Sequence, residues 1–381
     1  MAEWIFYLSL LFISYTYVGY PLVLYIISLF IKREVDRGNI FPEVSIIIPV
    51  HNEGNLIEEK INNCLGFNYP KEKLKIIVAS DGSTDKTEEI VRGFESKQIE
   101  FLSFPFRGGK VAAQNYAVQF CDSEIIIFTD VAILTNLDCV KLIVQNFHDN
   151  SIGVVSCKDA IIEEEEHLKG ERSYIRYDMM VRKYTSRIGS IIGVTGGFYA
   201  VRKEIAKGGW NPVFPPDFYG ALRSIKRGLR VIEDSRVKAY YKTAAKEWDE
   251  LERKVRTINR GMHALFAISN RNLLNPFKHG MVSLELISHK LLRWMTPFFL
   301  ISLFLSNLMI LDMSLIAIIL FFPQLGIYLL AAIAFLYKKR ANEITVLKLF
   351  LYFAIANMAI IKAWIEFINV KKYMIWQPTK R

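Results

Sequence analysis

The sequence predicts an α/β domain carried between membrane-spanning helices. Three observations carry this reading: long uncharged stretches at the two ends, a mixed-charge middle of roughly 250 residues, and strand–helix alternation within that middle. Of 381 residues, 52% are hydrophobic, an excess over the average soluble domain. The 48 Lys and Arg outnumber the 38 Asp and Glu, for a formal net charge of +10. A chain both apolar and basic is not a simple soluble domain, a disordered segment or a secreted disulfide scaffold. Its positive charge suits a membrane surface or a nucleic acid. The basic residues cluster near the apolar stretches, and no aromatic-basic module appears, so nucleic acid is excluded as a partner and membrane lipids are expected.

The first apolar stretch, Trp4 to Ile31, is 28 residues without a charge, about 42 Å as a helix and enough to cross a bilayer with tilt. A signal peptide would place basic residues ahead of a shorter apolar core. Here Glu3 precedes the stretch, while Lys32, Arg33 and Arg37 follow it. The pattern predicts a signal anchor, with the residues after Ile31 in the cytoplasm. Three more spans are predicted, at Leu291–Leu311, Ser314–Tyr337 and Thr345–Ile368. Lys338, Lys339 and Arg340 mark an inner loop, whereas Lys348, Lys362 and Glu366 interrupt the last span. If that span crosses, the basic tail Lys371–Arg381 lies outside, against the positive-inside rule; the alternative is a helix along the interface. The reading is therefore an anchor at 1–32, a cytosolic domain with interfacial helices at 33–290, and a membrane region with a basic tail at 291–381, all in the cell (inner) membrane.

Inside the domain, Val44–Val50 is a short apolar run ended by His51, Asn52 and Glu53, the pattern of a buried parallel strand. A second strand, Leu74–Ala79, ends in Ser80-Asp81-Gly82-Ser83-Thr84-Asp85, and a helix follows. A third, Ile99–Phe104, leads to Arg107-Gly108-Gly109-Lys110 and another helix. A fourth, Glu124–Phe128, ends in Thr129-Asp130-Val131-Ala132. Polar groups thus gather at the carboxyl ends of the strands, where an open α/β sheet binds ligands. Gly108-Gly109-Lys110 ahead of a helix offers amide N–H groups and one cation to a diphosphate, but it has neither P-loop nor dinucleotide spacing. Glu53, Asp81 and Asp130 converging on one crevice need hydroxyls, base edges, a metal or a cation, several of which a nucleotide sugar supplies. Cys64, Cys121, Cys139 and Cys157 lack CxxC spacing and nearby histidine pairs, so reduced, buried thiols are expected. Glu163–Glu166 reads as a solvated loop, and Tyr174, Arg176, Tyr177 and Asp178 as an aromatic-polar helix face used in packing.

Six ordered stretches then carry a family resemblance: VSIIIPVHNE (44–53), ASDGSTDKT (79–87), RGGKVAAQN (107–115), FTDVAILTN (128–136), GGFYAVRKE (196–204) and DFYGALRSIKRGLRV (217–231). They resemble the motifs of inverting family-2 glycosyltransferases of GT-A (Rossmann-like) fold, in the membrane-bound branch of cellulose, poly-N-acetylglucosamine and hyaluronan synthases. SHKLLRWMTPFFL (288–300) and the ending WQPTKR (376–381) extend the likeness. The resemblance implies a nucleobase contact at Asp81, a ribose or base contact at Glu53 and a donor-phosphate contact at Lys110. It implies that Asp130 is the first acid of the metal-associated Asp-x-Asp, whose second acid is replaced by Ala132. Mg2+ or Mn2+ is expected as cofactor. Asp217 matches the catalytic base, although its usual acidic neighbour is Pro216. Gly196 and Gly197 match an acceptor site, where bare backbone admits a sugar. Arg256 falls in Arg253-Lys254-Val255-Arg256-Thr257, where the synthases carry Gln/Arg-x-x-Arg-Trp, and Thr257 replaces the tryptophan.

The resemblance therefore implies an integral-membrane inverting glycosyltransferase that takes a sugar from a UDP-linked donor to a growing glycan in surface or exopolysaccharide synthesis. Single-sugar transfer to a polyprenyl-linked lipid is the alternative acceptor chemistry, and an inactive membrane scaffold the alternative of another class. A polymer channel built from so few spans would need the first helix or a small membrane subunit.

Overall fold

A computed structural model describes residues 1–104, 106–161, 169–241, 247–267, 271–312 and 314–373. The Glu163–Glu166 run and the WQPTKR ending lie outside the described residues, as do the side chains of Tyr174 and Arg176. The domain is built on one mixed, eight-stranded sheet. Its strands are β1 (Val44–Val50), β2 (Leu74–Asp81), β3 (Ile99–Phe104), β4 (Ile125–Thr129), β5 (Leu134–Thr135), β6 (Ile152–Ile161), β7 (Phe198–Arg202) and β8 (Arg230–Tyr241). They lie in the order β3-β2-β1-β4-β7-β6-β8-β5. The first four are parallel, while β7 is antiparallel to both β4 and β6.

Every residue of β1 is buried, as its unbroken apolar run requires of a strand covered on both faces. Alternate residues serve two cores: Ile46 and Ile48 join one cluster, and Ile47 the other. The helices are α1 (Ala2–Phe30), α2 (Ile57–Leu65), α3 (Thr87–Arg92), α4 (Lys110–Val118), α5 (Cys139–Val144), α6 (Lys169–Ile188), α7 (Pro216–Lys226), α8 (Glu247–Phe266), α9 (Met281–Met309), α10 (Leu315–Leu336) and α11 (Thr345–Ile368). The four cysteines are free and buried, as expected.

Four helices, α1, α9, α10 and most of α11, are long and apolar enough to cross a membrane. The second begins ten residues before the predicted Leu291, because Glu285, His289, Lys290 and Arg293 break the apolar pattern without breaking the helix. Each of α1 and α9 contains one π turn, at Tyr15–Gly19 and Leu286–Leu291.

The last helix has a geometry that sequence left open. Tyr328 donates to the Leu300 carbonyl at 2.9 Å, so the start of α9 and the end of α10 lie at the same end of this antiparallel pair. Leu351 and Ile355 pack with Ala334 at that end of α10. Trp364, about 20 Å further along α11 by helical rise, donates to the Trp294 carbonyl at 2.8 Å and meets the Phe298 ring there. Both contacts land on one end of the pair, so α11 lies across it. The second half of α11 rests on α8 through Ala359, Ala363, Trp364 and Phe367.

Candidate active site

The loops after β1, β2, β3 and β4 meet at one edge of the sheet. Asp81 ends β2 and is only 4% exposed, a position a carboxylate keeps only with partners. It accepts from the Gly108 N–H at 2.7 Å and the Gly109 N–H at 2.8 Å, and its own carbonyl faces His51 Nδ1 at 2.7 Å. Two amide groups assigned by spacing to a diphosphate are therefore engaged by Asp81, which pins the glycine loop over the end of β2. Gly109 has φ of +88°, a value that favours glycine, and it leads directly into α4.

Lys110, the first residue of α4, ion-pairs with Asp130 at the end of β4. Glu53 opens the turn into α2, its N–H donating to Thr87 Oγ1 at 3.0 Å. Asn52 beside it has φ of +54° and a side-chain oxygen that accepts from the Thr84 N–H at 2.7 Å, which ties the loops after β1 and β2 together.

The donor-side and acceptor-side residues are joined by one turn. Gly197 accepts from the Asp130 N–H at 3.0 Å, and a methyl group added at Gly196 would lie 3.5 Å from the Asp217 carboxylate. Gly197 faces Ile133, which an added carbon would approach to 3.0 Å, so the glycine admits close packing of β7 on the β4 loop. Asp217 sits in the first turn of α7, half-buried, and its carboxylate has no hydrogen bond or ion pair among the described residues. The loop leading to it is held by Arg260 of α8, whose guanidinium donates to the carbonyls of Pro212, Val213 and Phe214 at 3.2, 3.1 and 2.6 Å. Burial pushes Arg260 down to about 10, against the opposing charge of Asp217. Arg256, one turn away, is likewise lowered by burial and then by Arg253, and it faces Tyr373 and Glu252. Arg260 is thus spent on backbone carbonyls.

Sequence reasoning missed Lys60. It sits on α2, is completely buried, and donates to Thr129 Oγ1 at 2.9 Å and to the Ile133 carbonyl at 2.5 Å, one residue before Asp130 and three after it. Burial lowers its ammonium below the usual lysine range. The one available signal was a lysine on the apolar stripe Ile57, Ile61 and Cys64 of α2.

Residues 45–210 match the family model described as Glycosyl transferase family 2. This stretch, a little under half of the chain, is similar to a glycosyl transferase family 2 domain. Asp217 and Arg256 lie beyond the matched residues. A β-monoglucosyldiacylglycerol synthase from Nostoc sp. is 26% identical over 45% of this chain and 38% of its own length. A poly-β-1,6-N-acetyl-D-glucosamine synthase from Staphylococcus aureus is 23% identical over 49% of this chain and 47% of its own. The chain thus spans less than half the length of these curated relatives. Among solved structures, the mannosyltransferase PcManGT from Pyrobaculum calidifontis, in complex with GDP-Man and Mn2+, aligns with a TM-score of 0.72 at 21% identity. The alignment covers 97% of this chain and all of that one, so the shared fold includes the apolar helices.

A divalent ion at this end of the sheet would need oxygen donors. The β4 loop offers Asp130 alone, since Val131 is buried and Ala132 packs against the core. Among the described residues, no three His, Cys, Asp or Glu side chains gather as a metal cage. The donor set fits a divalent ion held jointly by Asp130, substrate phosphates and water, which is a common way to bind Mg2+.

Proposed function

We propose that this protein is an inverting glycosyltransferase that moves a sugar from a UDP-linked donor to an acceptor presented at the membrane, with the domain on the cytoplasmic side of the cell membrane. The observation that carries the reading is the Gly196–Gly197 turn, which brings the unpartnered Asp217 carboxylate next to the loop of Asp130. Inverting transfer is an in-line displacement at the anomeric carbon. Asp217 removes the proton of the acceptor hydroxyl as its oxygen forms the new bond, and the bond to the diphosphate breaks on the opposite face. Lys110 and Arg256 neutralise the departing diphosphate, while Asp81 and Glu53 fix the nucleoside end of the donor. Mg2+ or Mn2+, held by Asp130 and the donor phosphates, would add positive charge at the leaving group. Sugar turnover by the purified protein tests the assignment: Asp217→Asn should reduce transfer at least about a hundredfold, and unchanged transfer refutes the base.

The geometry favours a lipid-borne acceptor that receives a single sugar. With α11 lying across the end of α9 and α10, the crossing helices of this reading are α1, α9 and α10, which meet through a few apolar contacts: Phe12 stacks on Phe299, Phe304 stacks on Phe321, and Phe6 packs with Leu303 and Ala317. Thr257 withdraws the acceptor-stacking ring implied by the synthase resemblance. The β-monoglucosyldiacylglycerol synthase likeness agrees with this reading. Growth of a surface glycan is the second reading, carried by the poly-N-acetylglucosamine synthase likeness. Product size separates them, because a ladder of lengthening glycans excludes single addition.

A further inference from the structure

Sugar transfer leaves unused a group of charged side chains between the domain and the first turns of α9. Asp178 of α6 is its centre. One carboxylate oxygen accepts from Arg182 Nε at 2.9 Å, and the other faces His289 Nε2 at 3.2 Å and Arg293 Nη1 at 3.8 Å. None of the four side chains is more than 18% exposed. The charges of Asp159 of β6 and Glu233 of β8 also act on Arg182, and burial pushes their carboxyls up to about 6 and about 7. Burial opposes the charge of Asp178 as well, yet His289, Arg182 and Arg293 together hold it well below the carboxylate range.

Two straps run from this group to the catalytic turn. Arg182 Nη1 reaches Thr195 Oγ1 at 3.5 Å, and the Thr195 N–H donates to Ser156 Oγ at 2.9 Å, immediately before Gly196. Glu285 of α9 accepts from the Ile192 N–H at 3.3 Å, at the start of the same loop. The α9 turn that presents His289 is the π turn, which meets the π turn of α1 through Tyr15 Oη and Ser288 Oγ at 2.8 Å. Such turns are costly insertions that recur where a side chain must be aimed.

We propose that Asp178 and Arg182 are positioning residues, which hold the Thr195–Gly197 turn from α9 and so fix the acceptor hydroxyl against Asp217. The membrane helix thereby sets the geometry of transfer. This role rests on Asp217 as the base, and it needs neither Asp178 nor Arg182 to touch a substrate. A misplacement of about 1 Å at a reacting centre lowers a rate by up to about a hundredfold.

The full-length protein in lipid nanodiscs is assayed as Arg182→Gln, Asp178→Asn and Thr195→Val, with UDP affinity measured on the same samples. Expected is a 10- to 100-fold lower kcat for transfer, at roughly unchanged UDP affinity. Arg182→Gln in the Thr195→Val background should add little further loss, because both changes cut the same strap. Unchanged kcat in Arg182→Gln overturns the role. So does a parallel loss of UDP affinity and thermal stability, or full additivity of the two changes, each of which marks a plain folding contact. Asp217→Asn in the same series separates the two ideas. If it keeps full transfer, the base assignment fails; if it loses transfer while Arg182→Gln does not, only the positioning role fails.

Discussion

Replacing Lys60 by methionine tests how the donor loop is held. The side chain is fully buried, and its two hydrogen bonds bracket Asp130. Methionine keeps the length and most of the volume, so it opens little cavity. Two charged-donor hydrogen bonds are lost, each worth about 1.5–3 kcal/mol. Against this, the ammonium no longer has to be buried, a penalty of several kcal/mol in a protein interior. Thr129 Oγ1 retains a weak contact to the Asp130 carbonyl at 3.4 Å, so the Ile133 carbonyl is the main group left unpaired. The two sums nearly cancel for the fold, but they do not cancel for the loop, which loses both bonds from Lys60 and keeps only those of Asn63 to Thr135 among the described α2 side-chain ties. The expected result is a melting temperature within about 5 °C of the parent, reflecting a net change of roughly 1 kcal/mol. The donor KM should rise about five- to tenfold, since Asp130 and Lys110 then sample several positions. Lys60→Ala, which also leaves a cavity, should instead cost about 2–5 kcal/mol of stability. Steady-state kinetics with varied UDP-sugar and scanning fluorimetry in detergent read both quantities. A donor KM unchanged in Lys60→Met refutes the positioning of Asp130 through Lys60.

Asp81→Asn should weaken UDP affinity about 10- to 100-fold by calorimetry, because an amide replaces the charged acceptor of the Gly108 and Gly109 N–H groups. Ala132→Asp supplies the missing second carboxylate and should lower the Mn2+ concentration needed for half-maximal transfer; chelator treatment should stop transfer in both forms. The contribution of Asp159 and Glu233 to stability should fall as pH rises from about 4 to about 7, because their raised carboxyls bind more protons in the folded state than in the unfolded chain there, while the lowered His263 works in the opposite direction. Asp178 has the opposite shift, and its stabilisation is lost only below about pH 4, so it does not mask this trend. Glu233→Gln should flatten the part near pH 7, as read by thermal unfolding at stepped pH.

The parallel half of the sheet was legible because apolar strands and polar strand ends are local signals. β1 to β4 fall within two residues of the runs Val44–Val50, Leu74–Ala79, Ile99–Phe104 and Glu124–Phe128. β5 to β8 were not, since antiparallel pairing of β7 on β4 depends on register between distant segments such as Phe128 and Tyr199. For the site, residue types at strand ends and helix starts pointed to Asp81, Lys110 and Asp130, the family resemblance pointed to Asp217, and the structure gathers their loops. Partnerships were invisible. Nothing in Gly108-Gly109-Lys110 reveals that its amides serve Asp81, or that Lys110 reaches Asp130. Lys60 stayed hidden because one lysine on an apolar stripe looks the same whether it snorkels to solvent or bonds inward.

The charged residues of α11 show how tertiary packing resolves a conflict that hydropathy cannot. As a crossing helix, it would bury Lys348, Lys362 and Glu366 in lipid and leave a basic tail on the wrong side. Lying across the end of α9 and α10, it puts each charge beside a partner. Lys362 bonds Glu252 of α8 at 2.5 Å, and Glu366 accepts from Lys371 Nζ at 2.7 Å and Tyr373 Oη at 2.6 Å. Lys348 lies 5.8 Å from the Tyr352 ring. The chain after α11 then turns back onto α8, where His263 Nε2 faces the Lys371 carbonyl at 3.1 Å. Arg256 and Arg260 stand on that same helix, so residues 371–373 and the loop of Asp217 share one support. An apolar stretch of spanning length thus packs along α8 of the domain and pairs its few charges there and with the chain that follows.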